Sequence, residues 1–276
     1  MKQKKLVRLA IACLGAVLFA SAVNAENLTI PGSGNPEYVL GQLASAFNKQ
    51  QSLHHVTVPP STGTAGAFRD VGDGTANVGR IGRQLKDAER SKGLTSVPIG
   101  RDAVVFVGGT KTTLRNVTSA QVQDVFLGKV TDWRDLGGQP GPIRAVGRET
   151  TDASRQVIGR NIPKFEDIVY GENVKLVHLD PQLIEMLDRF PTSLGFINQS
   201  ALFACKTKVV RLGFNGVEPS LKNLESGQYP MWVEFAFLHK TGELGSAGKA
   251  FLEFVKSAAG ERILREHGVL PVSPPR

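Results

Sequence analysis

Short β-rich segments alternate with amphipathic helical segments after residue 25, and this alternation constrains the fold more than any other feature of the sequence. The predicted strands lie at residues 27–30, 55–58, 104–107, 143–146, 175–179, 194–197, 209–212 and 233–238. Apolar residues recur at helical spacing between them, as in Leu40, Leu43 and Phe47. Alternating strands and helices favour an α/β fold, in which helices cover both faces of a sheet.

The composition of the 276 residues suits a folded chain of one large domain or two modest ones. Hydrophobic residues make up 41% and charged residues 21%, which is too apolar for a disordered chain. Two cysteines exclude a disulfide framework, and the five histidines form no pair at metal-ligand spacing. We therefore expect no metal site and no cofactor. Cys205 has no partner after residue 25, and we expect a buried or inert thiol.

The first 25 residues have the features of a cleaved secretory signal peptide. Four basic residues and no acidic one lie among the first eight, an apolar run follows to Val23, and Ala25 ends the segment. All 25 acidic residues lie at or beyond Glu26, so cleavage lowers the net charge from +8 to +4. This small excess does not indicate nucleic acid as a partner. We expect an exported, unanchored protein in the periplasm.

Three predicted helices begin in loops rich in glycine, serine or threonine that directly follow a strand. These loops are residues 32–36, 61–66 and 148–154. Such a loop points unpaired backbone N–H groups at one spot, which the helix dipole makes favourable for an anion. An ordinary capped helix is the alternative for each loop, and the first loop offers Asn35 as the N-cap with Pro36 at the first helical position. The first two loops lack the spacing of dinucleotide and P-loop sites.

The segment 118–133, with the sequence TSAQVQDVFLGKVTDW, resembles a signature of the phosphate-binding proteins of ABC transporters. Thr118 and Gln121 within it predict a capping box, and Gly128 predicts the end of the helix. Segments similar to those of the same family follow in the same order and spacing: 62–67, 73–79, 194–197, 216–230 and 251–268. The resemblance therefore covers nearly all of the chain after the signal peptide.

The resemblance implies a two-lobed periplasmic binding protein fold in which each lobe is a mixed sheet flanked by helices. The first lobe would comprise residues 26–101 and 228–276, and the second residues 102–227. Two strands near 104–107 and 233–238 would form the hinge. The ligand would be phosphate or a related oxyanion held between the lobes. The partners implied are the permease subunits of an ABC importer, and we expect a monomer without catalytic residues.

The resemblance also implies a set of ligand-binding residues: Ser33, Thr62, Gly63 and Thr64 in the first lobe, and Arg148, Asp152, Ala153 and Ser154 in the second. The guanidinium of Arg148 can hold an oxyanion through two parallel hydrogen bonds. The alternative for Arg148 is a surface ion pair with Glu149 or another acid.

Two positions depart from the family pattern. Residues 151–154 read Thr-Asp-Ala-Ser where the family has Gly-Ser-Gly-Thr, and Gly82 stands where larger phosphate binders carry aspartate or serine. Asp152 is either a helix N-cap or the acceptor for the proton of hydrogen phosphate, with Arg148 balancing its charge. Arg80 and Arg83, which flank Gly82, either add positive charge at the cleft or lie in solvent.

Two further functions are compatible with the same fold. One is a ligand-sensing or interaction protein that acts on a membrane signalling partner. The other is an enzyme such as a phosphate-ester hydrolase, for which the sequence offers no evident nucleophile, general base or metal set.

Overall fold

The structure is a computed structural model that describes residues 25–205 and 207–272. The predicted signal peptide therefore lies outside the described residues, apart from Ala25. Among the described residues, every helix is too short or too polar to cross a membrane.

The chain alternates strands and helices, as the sequence predicts. The strands are β1 Asn27–Thr29, β2 His55–Thr57, β3 Gly79–Ile81, β4 Leu94–Gly108, β5 Asn116–Val117, β6 Arg144–Arg148, β7 Lys175–Val177, β8 Ser193–Asn198, β9 Val210–Phe214, β10 Trp232–Lys240 and β11 Val269–Pro271. The α-helices are α1 Glu37–Gln50, α2 Gly63–Gly72, α3 Asp87–Arg90, α4 Ser119–Phe126, α5 Ala153–Asn161, α6 Asp180–Arg189, α7 Gln199–Cys205, α8 Leu221–Glu225, α9 Ser246–Lys256 and α10 Ala258–Glu266.

One large mixed sheet and one small parallel sheet contain the strands of the described residues. The large sheet has the order β3-β10-β4-β8-β6-β7, with β11 and β9 also paired to β4, and β5 paired to β9. The small sheet pairs β1 with β2 in parallel. Strand β4 is the longest, with 15 residues, and it pairs antiparallel with β10, β8, β9 and β11. The α/β class predicted from the alternation is confirmed.

All eight predicted strands are present, with ends that differ by a few residues in most cases. The predicted hinge segments 104–107 and 233–238 are parts of the longer strands β4 and β10. The division into two lobes at residues 101 and 228 stays a prediction. The capping box is confirmed: the Thr118 hydroxyl accepts from Gln121 N, and the Gln121 side chain accepts from Thr118 N at 2.9 Å.

Two groups of aromatic side chains hold the helices on the sheet. Phe47 of α1 meets Phe251 of α9 edge to face, with ring centroids 5.3 Å apart. Phe126 of α4 packs on Phe196 of β8 at 5.6 Å, and Phe196 meets Phe106 of β4. These five rings are buried, and burial of each stabilises the fold by about 1.5–3 kcal/mol. This packing fixes the positions of α1, α4 and α9, and of the loops next to them, relative to the sheet.

Parallel strands bring their carboxyl ends to one edge of the sheet. Strand β6 is parallel to both β7 and β8, so Arg148, His178 and Asn198 lie at the ends of three neighbouring strands. Strands β1 and β2 are also parallel, and the loops before α1 and α2 follow them. Ligands of open α/β sheets bind at such carboxyl edges.

Candidate functional site

A cleft of about 490 Å³ lies between two sets of loops. We call residues 31–36 and 59–64, before α1 and α2, the first wall. Residues 148–154 and 178–181, at the starts of α5 and α6, form the second wall. All three loops that the sequence singles out therefore meet at one cavity.

The N-cap residues of the two first-wall helices supply no side-chain cap, although the Gly63 N–H donates to Ser61 Oγ at 3.2 Å and the Glu37 N–H to the Gly34 carbonyl at 3.0 Å. Pro36 occupies the N-cap position of α1 and Thr62 that of α2, and neither side chain accepts a hydrogen bond from the helix. The first N–H groups of a helix lack intrahelical partners and carry the positive end of its dipole. The first wall thus presents two helix ends that are suited to an anion.

Arg80 holds the first wall together from behind. Its side chain is wholly buried, and it donates to the carbonyl oxygens of Ser33 at 2.7 Å and Pro59 at 2.8 Å and to that of Ile30. Its fourth partner is the carboxylate of Glu37, at 3.2 Å. The expectation that Arg80 adds charge to the cleft or lies in solvent is wrong, because backbone carbonyls and Glu37 take its donors.

Arg83 lies outside the cleft. Its guanidinium forms a two-pronged pair with the Glu89 carboxylate, at 2.7 and 2.8 Å, and lies over the Phe68 ring. It lines a second cavity of about 770 Å³, next to the cleft, with Lys86, Lys92 and Lys240.

Neighbouring atoms leave little room for a side chain at two glycines near the first wall, a backbone carbonyl at Gly32 and two side chains at Gly82. A Cβ on Gly32, whose φ is +136°, would lie 2.1 Å from the Arg80 carbonyl oxygen. A Cβ on Gly82 would lie 3.2 Å from Ser33 Oγ and 3.4 Å from Asn35 Oδ1. The space beside residue 82 is therefore occupied by the side chain of Asn35.

Asn35 links the two walls. The sequence predicts it as the N-cap of α1, which is wrong, because α1 begins one residue later and Asn35 turns into the cleft. Its amide nitrogen donates to Ser154 Oγ at 2.9 Å and to Asn198 Oδ1, and its oxygen accepts from Ser33 Oγ at 3.2 Å. Ser33 and Ser154, both predicted ligand donors, meet in this network and are buried.

The hydrogen-bond network continues from Asn198 to a buried acid on β4. Asn198 Nδ2 donates to Asp102 Oδ2 at 3.2 Å, and Asp102 also accepts from Ser200 N. Burial raises the pKa of Asp102 to about 7, although these hydrogen bonds oppose the shift. The central strand β4 is thereby connected to both walls of the cleft.

Arg148 stands on the second wall between two carboxylates. Its guanidinium pairs with Asp152 Oδ2 at 2.9 Å and with Asp180 Oδ1, and it donates to the His178 carbonyl at 3.1 Å. Its Nε has no partner among the described residues. Burial alone would lower the pKa of Arg148, but the charges of Asp180 and Asp152 raise it. The alternative of an ion pair with a nearby acid is confirmed in part: Arg148 pairs with Asp152 and Asp180 rather than with Glu149, and the pairs are buried instead of lying at the surface.

Asp152 has the N-cap role that the sequence offers, and it pairs with Arg148; its role as the acceptor for the proton of hydrogen phosphate stays a prediction. It is the N-cap of α5, where its Oδ1 accepts from Arg155 N at 3.0 Å, and its second oxygen pairs with Arg148. Burial raises its pKa, Arg148 opposes this shift, and the charge of Asp180 adds to it.

The cleft brings together the predicted ligand-binding residues. Seven of them line the cavity: Ser33, Thr62, Gly63, Thr64, Arg148, Asp152 and Ala153. Ser154 bonds to Asn35 beside it. Whether they bind a ligand stays a prediction.

Sequence reasoning missed three residues of this site, namely Asp180, Asn198 and the cleft-facing side chain of Asn35. Asp180 follows a strand and precedes Pro181 at the start of α6, the same junction that marks the other loops. This junction is the signal that could have found it.

Cys205 lies at the end of α7 and is exposed. The expectation of a buried thiol is therefore wrong. Partial desolvation nevertheless raises the pKa of the thiol, which lowers its reactivity.

Comparison with known proteins identifies the family. The family model described as "PBP superfamily domain" matches residues 19–259. The phosphate-binding protein PstS of Bacillus subtilis is 23% identical over 253 residues, covering 90% of this chain and 81% of that protein. PstS of Borreliella burgdorferi is 20% identical, covering 97% of this chain and 99% of that protein.

Solved structures share the fold. A Clostridium perfringens protein described as a phosphate ABC transporter substrate-binding protein, solved with bound phosphate, superimposes with a TM-score of 0.78 at 23% identity. The match covers 90% of this chain and all of that one. A phosphate transport receptor of the ABC type from Vibrio cholerae gives a TM-score of 0.66 at 21% identity, over 88% of this chain and 99% of that one.

Proposed function

The chain belongs to the PBP superfamily, and we propose that it captures phosphate or a closely related oxyanion in the cleft for an ABC importer. The observation that carries the proposal is the meeting of two helix N-termini, whose N-cap side chains make no cap, with the buried guanidinium of Arg148 across one cavity. Helix ends and arginine are the groups that proteins use to bind tetrahedral oxyanions. The names of the PstS relatives support phosphate as the ligand.

Each predicted residue has a role in this proposal. The first turn of α2, with Thr62, Gly63 and Thr64, would donate backbone and hydroxyl hydrogens to the oxyanion. The first turn of α5, with Ala153 and Ser154, would do so from the other wall. Asp152 would hold Arg148 in place and close the second wall around the ligand, because the two side chains pair at 2.9 Å.

The proposal includes export, a membrane partner and a monomeric state. The basic start and apolar run of the first 25 residues support cleavage before Glu26 and a periplasmic location. The PstS relatives and the ABC-type receptor support permease subunits as partners. Mass spectrometry of the exported protein should find Glu26 as the first residue, and an intact Met1 would contradict this part.

Thermal unfolding of dialysed protein with added anions tests the ligand. A specific ligand at one hundred times its dissociation constant stabilises the folded state by about 2.7 kcal/mol. We expect this rise in melting temperature with phosphate and a much smaller one with chloride at equal ionic strength. Equal rises with all anions would contradict a specific site.

Small-angle scattering tests capture between two lobes. Donors lie on both walls, so phosphate should lower the radius of gyration of the protein. An unchanged radius at saturating phosphate would show a rigid site instead.

A further inference from the structure

Four acidic side chains line the cleft, and their partners differ in a way that points to the ligand. They are Glu37, Glu149, Asp152 and Asp180. Glu37 pairs with Arg80 at 3.2 Å. Glu149 bonds to His178 Nδ1 at 2.5 Å, at the exposed rim. Asp152 caps α5 and pairs with Arg148.

Asp180 is the acid without a partner of its own. One of its oxygens shares Arg148 with Asp152. Its other oxygen, Oδ2, is buried and has no hydrogen-bond partner among the described residues. The residue is only 6% exposed. Burying a carboxylate costs free energy unless its charge is paired and its oxygens accept hydrogen bonds.

The charge of Asp180 acts on the whole site. Burial raises the pKa values of Glu37, Asp102, Asp152 and Cys205, and the negative charge of Asp180 adds to each of these shifts. The second wall thus contains one more buried carboxylate than it has cations to pair with.

The free oxygen of Asp180 lies across the cleft from the first wall. A Cβ placed on Gly34 would be 3.8 Å from Asp180 Oδ2, an ordinary van der Waals distance, so the oxygen faces that loop. Tyr38, on the first turn of α1, lines the same part of the cavity. A ligand group here would touch both walls.

The size of the cleft leaves room for such a group. An orthophosphate ion has five heavy atoms, which at the volume of a water molecule each would fill roughly 150 Å³. The cavity of about 490 Å³ is several times larger. A ligand that fills it would extend beyond the oxyanion.

We propose that Asp180 forms a cation subsite beside the oxyanion site, and that the cleft accepts zwitterionic ligands in which an ammonium group lies a short carbon chain away from a phosphonate or phosphate. The ammonium would donate to Asp180 Oδ2 and supply the positive charge that the second wall lacks. Arg148 bridges Asp152, at the start of α5, to Asp180, so the two subsites are one guanidinium apart. This inference rests on the proposed function, because the oxyanion end of the ligand uses that site.

Calorimetric titration of the purified protein with matched phosphonates tests the subsite. The probes are 2-aminoethylphosphonate and ethylphosphonate, which differ by one amine, together with inorganic phosphate. A hydrogen bond between charged groups predicts that the amine improves the dissociation constant by at least tenfold. Aminomethylphosphonate and 3-aminopropylphosphonate have a shorter and a longer carbon chain between the two charged groups. The chain length that binds most tightly would then indicate the distance between the subsites.

The Asp180→Asn variant should bring the ratio of the two phosphonate affinities close to one while it still binds phosphate. Asp188→Asn is the matched control, since Asp188 is an exposed acid on the same helix and should leave the ratio unchanged. The ratio in the unmodified protein decides the matter even if the variant fails to fold. Equal affinities for the two phosphonates, with phosphate bound, overturn the subsite and leave the proposed function standing. If the two phosphonates bind equally and Asp180→Asn also weakens phosphate binding, Asp180 accepts a hydrogen bond from the acid hydroxyl of the phosphate instead of binding an ammonium group. Failure of every oxyanion to bind overturns both proposals.

Discussion

Two buried arginines stand on opposite walls of the cleft and are held by different groups. Arg80 is satisfied mainly by the backbone, through three carbonyl oxygens and one carboxylate. Arg148 is satisfied mainly by the carboxylates of Asp152 and Asp180, and its Nε has no partner within the described ranges.

The difference separates a scaffold from a binding group. A backbone carbonyl oxygen does not become protonated when it loses its hydrogen-bond donor. Movement of Arg80 would therefore leave buried carbonyl groups without a partner. A carboxylate can be protonated, or a bound anion can replace it as the partner of the guanidinium. The partners of Arg148 can therefore change when a ligand binds. We infer that burial alone does not distinguish the two roles, whereas the nature of the partners does.

The largest expected effect is the loss of stability on replacing Arg80. Arg80→Met leaves the carbonyls of Ile30, Ser33 and Pro59 buried without a donor and should lower the free energy of unfolding by about 3–5 kcal/mol. Denaturant unfolding measures this difference. Arg69→Met, at an exposed arginine whose side chain is 64% accessible, should cost less than about 0.5 kcal/mol. Equal costs for the two variants would contradict a scaffold role.

The pH dependence of stability should distinguish Arg148→Met from Arg80→Met. Burial raises the pKa of Asp152 and Arg148 opposes this shift, so without the guanidinium the pKa of Asp152 in the folded state rises further above that of the unfolded chain. Such a group binds protons more tightly when folded, and the stability of the variant therefore falls as pH rises.

We expect Arg148→Met to cost about 3 kcal/mol at pH 8 and much less near pH 3, where the carboxyl group of Asp152 is protonated in both the folded and the unfolded state. The cost of Arg80→Met should change less over the same range, because three of the four partners of Arg80 are carbonyl groups, which do not titrate, and only the partly exposed Glu37 carboxylate does. Urea unfolding at several pH values measures both, and parallel pH profiles would refute the distinction.

Arg148→Lys tests the contribution of the two parallel N–H groups of the guanidinium separately from that of its charge. Lysine keeps the positive charge but offers one ammonium in place of parallel N–H groups, so phosphate should bind about 10- to 100-fold more weakly. Calorimetry measures the change. Arg144→Lys on the same strand is the control, since Arg144 is exposed and lies over the Phe190 ring. A lysine variant with unaltered affinity would leave Arg148 a purely structural residue.

The smallest effect concerns the link between the walls. Asn35→Ala removes hydrogen bonds to Ser154 and Asn198, which continue to bond each other at 3.0 Å, so the cost should be about 1 kcal/mol. A double-mutant cycle with Asn198→Ala should give a coupling energy above about 0.5 kcal/mol. Strictly additive costs would show that the direct bond contributes nothing.

Local patterns in the sequence predict the elements and most of the cleft. The period of apolar residues gives α1, and the residues Thr118 and Gln121 give the start of α4, since both signals act within one or two turns. The short strand β3 escapes prediction because its three residues, Gly79–Ile81, carry no periodic signal.

Contacts between distant segments set the remaining features of the site. Asn35 fits the local pattern of an N-cap, but partners 119 and 163 residues away hold its side chain in the cleft. Arg80 looks like a surface residue in sequence, and carbonyl groups 21 to 50 residues away bury it. Asp180 is identified as a site residue only in the folded structure, where it pairs with Arg148, 32 residues away in sequence.

The hydrogen bonds that Asn35 makes across the cleft have a consequence for unloading. They join the walls without help from a ligand, so they favour the shut form of a receptor whether it is loaded or empty. Each kilocalorie per mole that they contribute raises the ratio of shut to open molecules about fivefold, and it tightens the apparent affinity for ligand to the same extent while the open form predominates. The same free energy opposes reopening, so the importer must supply it before the cargo can leave. A chain built in this way suits scavenging at low ligand concentration, where capture limits uptake and slow release costs little.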